Sequence, residues 1–307
     1  MQILVIGDNC VDITIKGNFQ FERDKNIVPE DIKITPAGTG VNFSCALSNF
    51  GYEVFYFTPL GNDAFSSIIE KHLDTFKVRK DFIDRVNKKT ALIIAIVNKQ
   101  GERTTFAGIK DVAYEEVNVK KLEKIDFSNF SAVYISGGIL TSETSQKRLK
   151  EAADFISKKG LRLFFDTQIR IGEEIEGFID AVYYIMDRSN VIFSNLREFS
   201  LIKEEFKYKL IDEGKFFVIK KGENGAMVIT GKDKIVSSGI PVRAVDTTGA
   251  GDVFNASFVY KYLESGNSKE AVEFANLSGA LSTTRLGVYI PSKEEIYDFM
   301  RRKEEGC

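Results

Sequence analysis

Short runs of consecutive apolar residues recur along the chain, and most are followed by a turn and a segment with apolar positions at helical spacing. Runs of this kind occupy residues 2–7, 53–60, 132–136, 162–166 and 191–194. Between them, a glycine-rich turn at 37–42 opens a helix that runs to residue 49, and further helical segments cover residues 64–76, 143–159 and 177–186. A continuous apolar run is typical of a strand buried on both faces, and strands that alternate with helices form parallel sheets. The pattern therefore predicts an α/β fold with a doubly wound, mostly parallel sheet.

A different pattern interrupts this rhythm in two parts of the chain. Apolar and polar residues alternate after the first run, and further along a turn of hairpin composition joins two β-rich segments. Strands are expected there at residues 11–18, 31–35, 91–97 and 103–107. No internal repeat or linker divides the chain, so we predict a single domain over residues 1–307. Its small β-sheet lid is expected from about residues 11–36 and 88–110.

The last third of the chain is predicted to carry further strands and helices. Strands are expected at residues 215–220, 225–230 and 234–236, after a short helix at 197–206. The segment 235–245 is strand-like and precedes a turn of small residues and an amphipathic helix, which Gly266 can end. Two closing helices follow capping sequences at residues 267–270 and 292–295.

Composition narrows the range of partners. With 43% hydrophobic and 28% charged residues the chain is globular, and a net charge of −2 favours neither nucleic acid nor an anionic membrane as a partner. No apolar run approaches the roughly 20 residues of a membrane-spanning helix. The first residues are strand-like rather than basic, so we expect a cytosolic protein.

Cysteine and histidine are scarce, which excludes several chemistries. Cys10, Cys45 and Cys307 form no C-x-x-C pair and are expected to be reduced thiols. The single histidine, His72, lies in a helical segment and is interpreted as a surface or packing residue. Catalysis by a Ser-His-Asp triad and histidine-rich metal sites are therefore excluded.

One stretch, residues 246–264, joins a turn of small residues to the start of a helix. Gly249, Ala250 and Gly251 have little or no side chain, so their N–H groups can approach a ligand closely, and those of the helix point the same way. The stretch therefore predicts an anion site. A carboxylate at Asp252 would repel a bound phosphate, so an acid at this position indicates a separate chemical role. We interpret it as the general base that takes a proton from a hydroxyl during phosphoryl transfer.

The same stretch resembles, almost letter for letter, the C-terminal signature of the ribokinase-like, PfkB-type carbohydrate kinases. Segments over nearly the whole chain fit that family, nearest its fructokinase and 2-keto-3-deoxygluconate kinase branch. The resemblance implies an ATP- and Mg²⁺-dependent kinase that phosphorylates a hydroxyl of a ketose, a sugar acid or a modified hexose. Asp252 would be its base, and Gly249, Ala250 and Gly251 would stabilise the phosphoryl group.

The resemblance also implies which residues bind the sugar. Segment 7–12 resembles the family's first strand, segment 38–42 its first signature, and segment 166–170 its D-x-N-x-R, with Gln168 in place of Asn. The substrate-binding residues that it implies are Asp12, Gly38, Thr39, Asn42 and Arg170, and the predicted lid hairpin places Arg103 within reach of the same pocket. Carboxylate and amide groups suit a polyol because they accept and donate hydrogen bonds to hydroxyl pairs. Arg103 is equally compatible with an internal ion pair.

A second set of residues is implied for the nucleotide and its metal ion. These are Asn195, Glu198, Lys220, Gly222, Gly225 and Thr247. Glu198 is expected to contact Mg²⁺ through water, because magnesium usually keeps several of its waters. Taken alone, N-x-x-E is also the pattern of a helix cap. A monovalent cation such as K⁺ at Asp246 and Thr248 is left open, because the loop after Gly287 is short.

Two other functions stay open. A nucleoside kinase of the same family would need an aromatic slot for the base, for which Phe19, Phe21 and Phe106 are candidates, although phenylalanines on a lid fit a homodimer contact equally well. A catalytically silent sugar-binding regulator is the alternative of another class. A homodimer that forms through the lid is expected. The chain contains no G-x-x-x-x-G-K-[ST] and no G-x-G-x-x-G, which argues against a Walker-type kinase and a dinucleotide dehydrogenase.

Overall fold

Strands and helices alternate along most of the chain in the structure, a computed structural model that describes residues 1–19, 24, 26–100, 102–169, 175–231 and 233–304. The strands are β1 (Gln2–Ile6), β2 (Cys10–Lys16), β3 (Asp31–Ala37), β4 (Glu53–Tyr56), β5 (Leu60–Gly61), β6 (Arg85–Val86), β7 (Ala91–Val97), β8 (Arg103–Gly108), β9 (Phe130–Ser136), β10 (Arg162–Asp166), β11 (Val191–Asn195), β12 (Phe216–Lys220), β13 (Ala226–Thr230) and β14 (Asp233–Ser237). The helices are α1 (Thr39–Asn49), α2 (Ala64–Thr75), α3 (Val119–Leu122), α4 (Glu143–Lys158), α5 (Phe178–Met186), α6 (Leu196–Leu201), α7 (Glu204–Asp212), α8 (Ala250–Ser265), α9 (Ser268–Ser282) and α10 (Lys293–Glu304).

The main sheet has eight strands in the order β14-β13-β12-β11-β10-β9-β1-β4. Strands β12 to β4 in this order are parallel, while β13 and β14 add an antiparallel edge. The predicted α/β fold with a doubly wound, mostly parallel sheet is confirmed. The chain passes from β1 to β4 on one side and later returns to β9 on the other. Between β1 and β9 the strand order therefore reverses, which is where open α/β sheets bind ligands.

Helices cover both faces of the main sheet. In β1, Ile3 and Val5 pack into one core and Leu4 and Ile6 into the other, and all four are fully buried. The first core is completed by residues of α1, α2, α8, α9 and α10, and the second by residues of α3, α4, α5 and α7. Because successive strand residues point to opposite faces, a strand between two helical layers has to be apolar throughout.

A second sheet of four strands has the order β3-β2-β7-β8. Strand β2 pairs antiparallel with β3 and parallel with β7, and β7 forms a hairpin with β8. The strands expected from the alternating pattern are present. Strand β3 continues through Pro36, which lacks an N–H group, and it can do so because β3 is an edge strand.

The two faces of the second sheet differ in polarity. On one face the register aligns Ile34, Ile13, Ile94 and Phe106 in one row and Ile32, Ile15 and Ile96 in the next; these seven residues are called the isoleucine face. Ile32, Ile34 and Phe106 are more than half exposed, at 54%, 51% and 57%. Asp12 and Arg103 lie on the opposite face, because side chains alternate along each strand.

Two predicted elements differ from the observed ones. The helix expected at 197–206 is two helices, α6 and α7, because buried Ile202 adopts an extended conformation between them. The strand-like segment 235–245 pairs only as far as Ser237. Beyond it, the N–H groups of Val245 and Asp246 donate to the carbonyl of Thr283 instead of to a strand.

The helix after the small-residue turn is not amphipathic. Every residue from Val253 to Tyr260 is buried, because α8 is packed between α1 and α9. Gly266 ends the helix in a left-handed conformation, with φ of 67°, as the sequence predicted. The helix that follows the small-residue turn is therefore anchored in the interior of the protein. No helix in the described ranges is both long and apolar enough to cross a membrane.

Candidate active site

Polar side chains meet at the point where the order of the main strands reverses. Asp8 follows β1, Ser136 ends β9, Asp166 ends β10 and Lys220 ends β12. The strands are parallel, so these residues share the carboxyl edge of the sheet. Asp8 accepts a hydrogen bond from Ser136 Oγ over 2.7 Å, which joins two neighbouring strand ends.

Helices α1 and α8 bring a predicted substrate-binding residue to the predicted base. Asn42 Nδ2 donates to Asp252 Oδ2 over 2.7 Å. Asn42 is buried, and its Oδ1 has no hydrogen-bond partner in the described part of the chain. A buried carbonyl oxygen without a donor is costly, so it marks a place where a ligand hydroxyl can bind.

The ionisation of Asp252 is shifted by its surroundings. Burial raises the pKa of Asp252 to about 7, and the charges of Asp166 and Asp8 act in the same direction. The hydrogen bond from Asn42 and the charge of Lys220 oppose this rise. A carboxylate with a pKa near 7 is a stronger base than an ordinary aspartate, and about half of it is ionised at pH 7.

The turn before α8 has the backbone that an anion site needs. Gly249 has φ of 75°, and a Cβ atom there would lie 2.7 Å from Val288 Cγ1, so only glycine fits. The N–H of Ala250 donates to the carbonyl of Thr247 over 3.2 Å. Across the described residues, no acceptor faces the N–H groups of Gly249 and Gly251. Two of the three predicted N–H groups are therefore available.

Close backbone contacts hold the start of α1 against β1. A Cβ atom on Gly40 would lie 2.5 Å from Gly7 Cα, so neither glycine tolerates a side chain. Gly38 has φ of 107°, and a Cβ atom there would lie 2.6 Å from the carbonyl oxygen of Asp8. The N–H of Thr39 donates to Asp8 Oδ2 over 3.0 Å. The predicted substrate residues Gly38 and Thr39 thus lie against Asp8.

The second sheet contributes Asp12 and Arg103. Burial raises the pKa of Asp12, opposed by a hydrogen bond from Cys10 and by the charge of Arg103. The Cys10 thiol donates to Asp12 Oδ1 over 3.7 Å. Arg103 is exposed and forms no ion pair among the described residues. Arg170, the remaining predicted substrate residue, lies outside the residues that the structure describes.

Asn195 and Glu198 form a reciprocal cap at the start of α6. Asn195 Oδ1 accepts from the N–H of Glu198 over 2.8 Å, and Glu198 Oε2 accepts from the N–H of Asn195 over 3.0 Å. Glu198 Oε2 also accepts from Thr167 Oγ1 over 3.0 Å, which ties α6 to the end of β10. Burial and the charge of Asp166 raise the pKa of Glu198, while Lys220 opposes the rise. The pair is thus a helix cap placed beside the candidate site.

The turn after β12 holds the other predicted nucleotide residues. Gly222 and Gly225 have φ of 59° and 84°, and the N–H of Gly225 donates to the carbonyl of Gly222 over 3.0 Å. A Cβ atom on Gly225 would lie 2.1 Å from the carbonyl oxygen of Ser237, so this glycine is needed for the turn to pack against the segment after β14.

Asp246 joins the loop before α8 to a later loop. Its Oδ1 accepts from the N–H and Oγ1 of Thr248 over 2.9 and 2.7 Å, and its Oδ2 accepts from the N–H of Gly287 over 2.9 Å. Burial alone would raise the pKa of Asp246, but these hydrogen bonds lower it below the usual value. Thr247 is exposed at the surface of the same loop.

A buried polar cluster beneath the turn was not predicted. Lys220 Nζ donates to Asp166 Oδ1 over 3.3 Å and to Asn255 Oδ1 over 3.1 Å, and Asn255 Nδ2 donates to Tyr134 OH over 3.3 Å. Gln168 Nε2 donates to Asp166 Oδ2 and has an unusual φ of 45° for a residue other than glycine. The motif segment 166–170 gave a signal for Asp166. Nothing in the local sequence of Tyr134 or Asn255 pointed to the site.

The sequence profile of the pfkB family carbohydrate kinases matches residues 2–295. The chain belongs to this family. It is 26% identical over 309 residues to an ATP-dependent ribose-1-phosphate kinase of Halopiger xanaduensis, covering 99% of both chains. It is 23% identical over 307 residues to a ribokinase of Bacillus subtilis, covering 97% of this chain and 99% of the relative. The predicted activity, ATP-dependent phosphorylation of a sugar or sugar derivative, is confirmed.

Solved structures agree on the fold. A putative ribokinase II from E. coli in its apo form superimposes with a TM-score of 0.87 at 22% identity, covering 98% of this chain and 99% of that chain. A fructokinase from Xylella fastidiosa with bound ATP superimposes with a TM-score of 0.85 at 18% identity, covering 99% of both chains. The relatives carry the names of several sugar kinases, so the fructokinase-like branch stays a prediction.

Proposed function

We propose that this kinase transfers the γ-phosphoryl group of ATP to a hydroxyl of a ketose, a sugar acid or a modified hexose, with Asp252 as the general base. The observation that carries the proposal is the contact of Asn42 with Asp252 beside the open N–H groups of Gly249 and Gly251. One ligand hydroxyl placed at this contact would meet a base, an amide oxygen and an anion site together.

Asp252 takes the proton of the substrate hydroxyl, and the freed oxygen forms a bond to the γ-phosphorus. The bond between that phosphorus and the bridging oxygen of ATP breaks, and ADP leaves with the electron pair. The N–H groups of Gly249 and Gly251 stabilise negative charge on the phosphoryl oxygens. Asp252 then releases its proton to solvent.

The substrate side is dominated by hydrogen-bond acceptors. Asp8, Asp12 and Asp252 contribute carboxylates, and Asn42 contributes its free Oδ1. Such a set suits the several hydroxyl donors of a sugar. Gly38 and Thr39 shape one wall, and Arg103 together with Arg170 would meet a carboxylate or phosphate on the substrate.

Magnesium would be held on the side of Glu198. The oxygens of Glu198 already accept hydrogen bonds from Asn195 and Thr167, and the described residues contain no cluster of three metal-ligating side chains. A hydrated ion held through water fits this arrangement, and the nearby Asp166 charge favours a cation. The ion supplies charge neutralisation to the phosphates when bound. A K⁺ requirement through Asp246 and Thr248 stays a prediction, tested by replacing KCl with NaCl.

The second sheet would act as a lid on a single catalytic domain, closing over the sugar to exclude water. Its isoleucine face would pair with that of a second copy, giving a homodimer. Contiguous exposed apolar rows rimmed by charged residues mark interaction surfaces, and a self-complementary patch fits a two-fold axis. A cytosolic location, where ATP is available, completes the proposal.

One of the aromatic residues considered for the base slot of a nucleoside kinase does not fit that role. Phe106 belongs to the isoleucine face, whereas Asp12 lies on the other face of the sheet. Phe106 therefore cannot line a base slot next to Asp12. Phe21 lies outside the described residues. A sugar is the better-supported substrate.

The test measures ADP release with MgATP and a panel of fructose, 2-keto-3-deoxygluconate, ribose, fructosamine-type sugars, inositol and nucleosides. We expect turnover on one sugar class and a loss of about 10² to 10⁴-fold in Asp252→Asn. Glu273→Gln, an exposed acid on α9, is the matched control and should behave as wild type. Wild-type turnover in Asp252→Asn would overturn the mechanism. If the wild-type protein and both variants bind a sugar but none of them releases ADP, the result would support the catalytically silent regulator.

A further inference from the structure

Lys220 lies between the anion turn and the acidic cluster. A Cβ atom built on Gly251 would lie 3.7 Å from Lys220 Nζ, so the ammonium group is directly beneath the turn. Its side chain is 18% exposed, whereas that of its ion-pair partner Asp166 is 3% exposed. The Lys220 side chain is therefore only partly buried, whereas Asp166 is almost fully enclosed.

The hydrogen bonds of Lys220 leave one donor unused. An ammonium group has three N–H donors. Two are taken by Asp166 Oδ1 and Asn255 Oδ1, over 3.3 and 3.1 Å, and the described residues offer no partner for the third. Two fixed hydrogen bonds restrict the flexible side chain and hold its charge in one place. Preorganised charge of this kind stabilises a transition state without a reorganisation cost.

The charge balance of the site also requires a cation. Asp8, Asp166 and Asp252 act on one another electrostatically, and of the described basic residues only Lys220 forms an ion pair with any of the three. A γ-phosphoryl group would add more negative charge beside Gly251. Without a nearby cation that group would be repelled by the carboxylates.

We propose that Lys220, held by Asp166 and Asn255, binds the oxygens of the transferring phosphoryl group with its third N–H donor and is a catalytic residue. This inference rests on the proposed function and deepens it, because Lys220 then acts on the reacting atoms and not only on the nucleotide turn. Asp166 and Asn255 become positioning residues that act through Lys220.

A double-mutant comparison separates this role from simple neutralisation of Asp166. Lys220→Met should lower kcat at least about 100-fold, the effect of removing one donor to a developing oxyanion. If Lys220 served only to neutralise Asp166, the Lys220→Met/Asp166→Asn protein would turn over as fast as Asp166→Asn alone. We expect it to stay at least about 100-fold slower. Recovery to the level of Asp166→Asn would overturn the proposal.

Lys215→Met is the matched control. Lys215 precedes the same strand at its other end, is 14% exposed and also forms an ion pair, with Glu213. Its loss should affect stability and leave kcat unchanged.

A binding measurement tests the same contact without a known sugar. MgADP with aluminium fluoride mimics the transferring phosphoryl group, and its affinity is compared with that of MgADP alone by calorimetry. We expect the gain on adding aluminium fluoride to fall at least tenfold in Lys220→Met and to be retained in Lys215→Met. An equal gain in both variants would refute the contact. Failure to find any sugar substrate would refute the proposed function but leave this result standing.

The pH profile gives a further readout. The titratable groups that act on Asp252 come from five strands or their ends and are Asp8, Cys10, Tyr134, Asp166 and Lys220. Of these, Lys220 lowers the pKa of Asp252. Removing its charge should move the acid limb of kcat/KM to higher pH, whereas Lys220→Arg, which keeps the charge, should not move it. An unshifted limb in Lys220→Met would contradict the placement of its charge beside the base.

Discussion

The two sheets of this kinase use isoleucine and valine in opposite ways. In the parallel strands of the main sheet these residues are buried on both faces, and the candidate site residues follow the ends of strands covered by two helical layers. In the second sheet one face leaves Ile32, Ile34 and Phe106 more than half exposed. The difference teaches that Asp252 and the small-residue turn are held by a helix buried between two others, while the second sheet supplies contacts that depend on what covers it.

In the main sheet, the largest loss of stability is expected from a substitution where the start of α1 contacts the end of β1. Gly40→Ala would place a Cβ atom 2.5 Å from Gly7 Cα, and the backbone there has no room to move. We expect the free energy of unfolding to fall by about 3 kcal/mol or more, with loss of activity. Chemical denaturation measures the change.

Gly108→Ala provides the matched change in the second sheet. Its Cβ atom would lie 3.2 Å from the carbonyl oxygen of Leu92, which has to shift by only a few tenths of an ångström. A cost below about 1 kcal/mol is expected. Equal costs for the two glycines would contradict the contrast between the sheets.

The pH dependence of activity tests the interior placement of the base. In the proposed mechanism Asp252 acts in its ionised form, and burial raises its pKa to about 7. The kcat/KM value should rise about tenfold per pH unit below that point and level off above it. Circular dichroism at each pH checks that the protein stays folded. An acid limb near pH 4 would mean that Asp252 is not buried as a base or that another group limits the rate.

In the second sheet, a substitution on the isoleucine face is expected to dissociate the proposed homodimer. Ile34→Lys puts a charge in the centre of the isoleucine face, and a buried unpaired charge at an interface costs several kcal/mol, enough to dissociate a dimer. Sedimentation velocity should show a monomer with an unchanged fold. Thr35→Lys, on the neighbouring residue and the other face, should keep the wild-type mass. A monomeric wild-type protein would refute the proposed homodimer.

The smallest expected effects concern two aspartates of opposite character. The folded-state pKa of Asp252 is raised by burial above its unfolded value, so its contribution to stability is present at low pH and lost as the pH rises through about 7. At pH 8 Asp252→Asn should therefore stabilise the fold by about 1 kcal/mol while lowering turnover about 10² to 10⁴-fold. Hydrogen bonds lower the pKa of Asp246 more than burial raises it. The ionised carboxylate therefore stabilises the folded protein at high pH, and this stabilisation is lost as the pH falls.

Asp246→Asn should accordingly destabilise the protein at pH 8 by about 1 kcal/mol and have less effect as the pH falls. Thermal unfolding of both variants at pH 8 measures the signs. If both variants changed in stability in the same direction, the opposite pKa shifts of the two carboxylates would be refuted.

Much of the fold and part of the candidate site could be predicted from the local sequence. Continuous apolar runs predicted the buried strands, because a strand between two helical layers has no polar face, and glycine spacing predicted the anion turn. The parallel pairing of β2 with β7 and the cluster of Lys220, Asp166 and Asn255 were not predictable in this way. They depend on contacts between distant residues: motifs marked Lys220 and Asp166 singly, but nothing near Asn255 in the sequence pointed to the site or to the contact between the three.

The hydrogen bond between Asn42 and Asp252 has a consequence for how the enzyme is made. It joins positions 210 residues apart, and the anion turn lies in the last fifth of the chain. During synthesis the sheet from β1 to β12 precedes the base, so a nascent or prematurely ended chain contains sugar-side groups and no means to use ATP. On the proposed mechanism, a nascent chain that has not reached α8 lacks both the base and the anion turn.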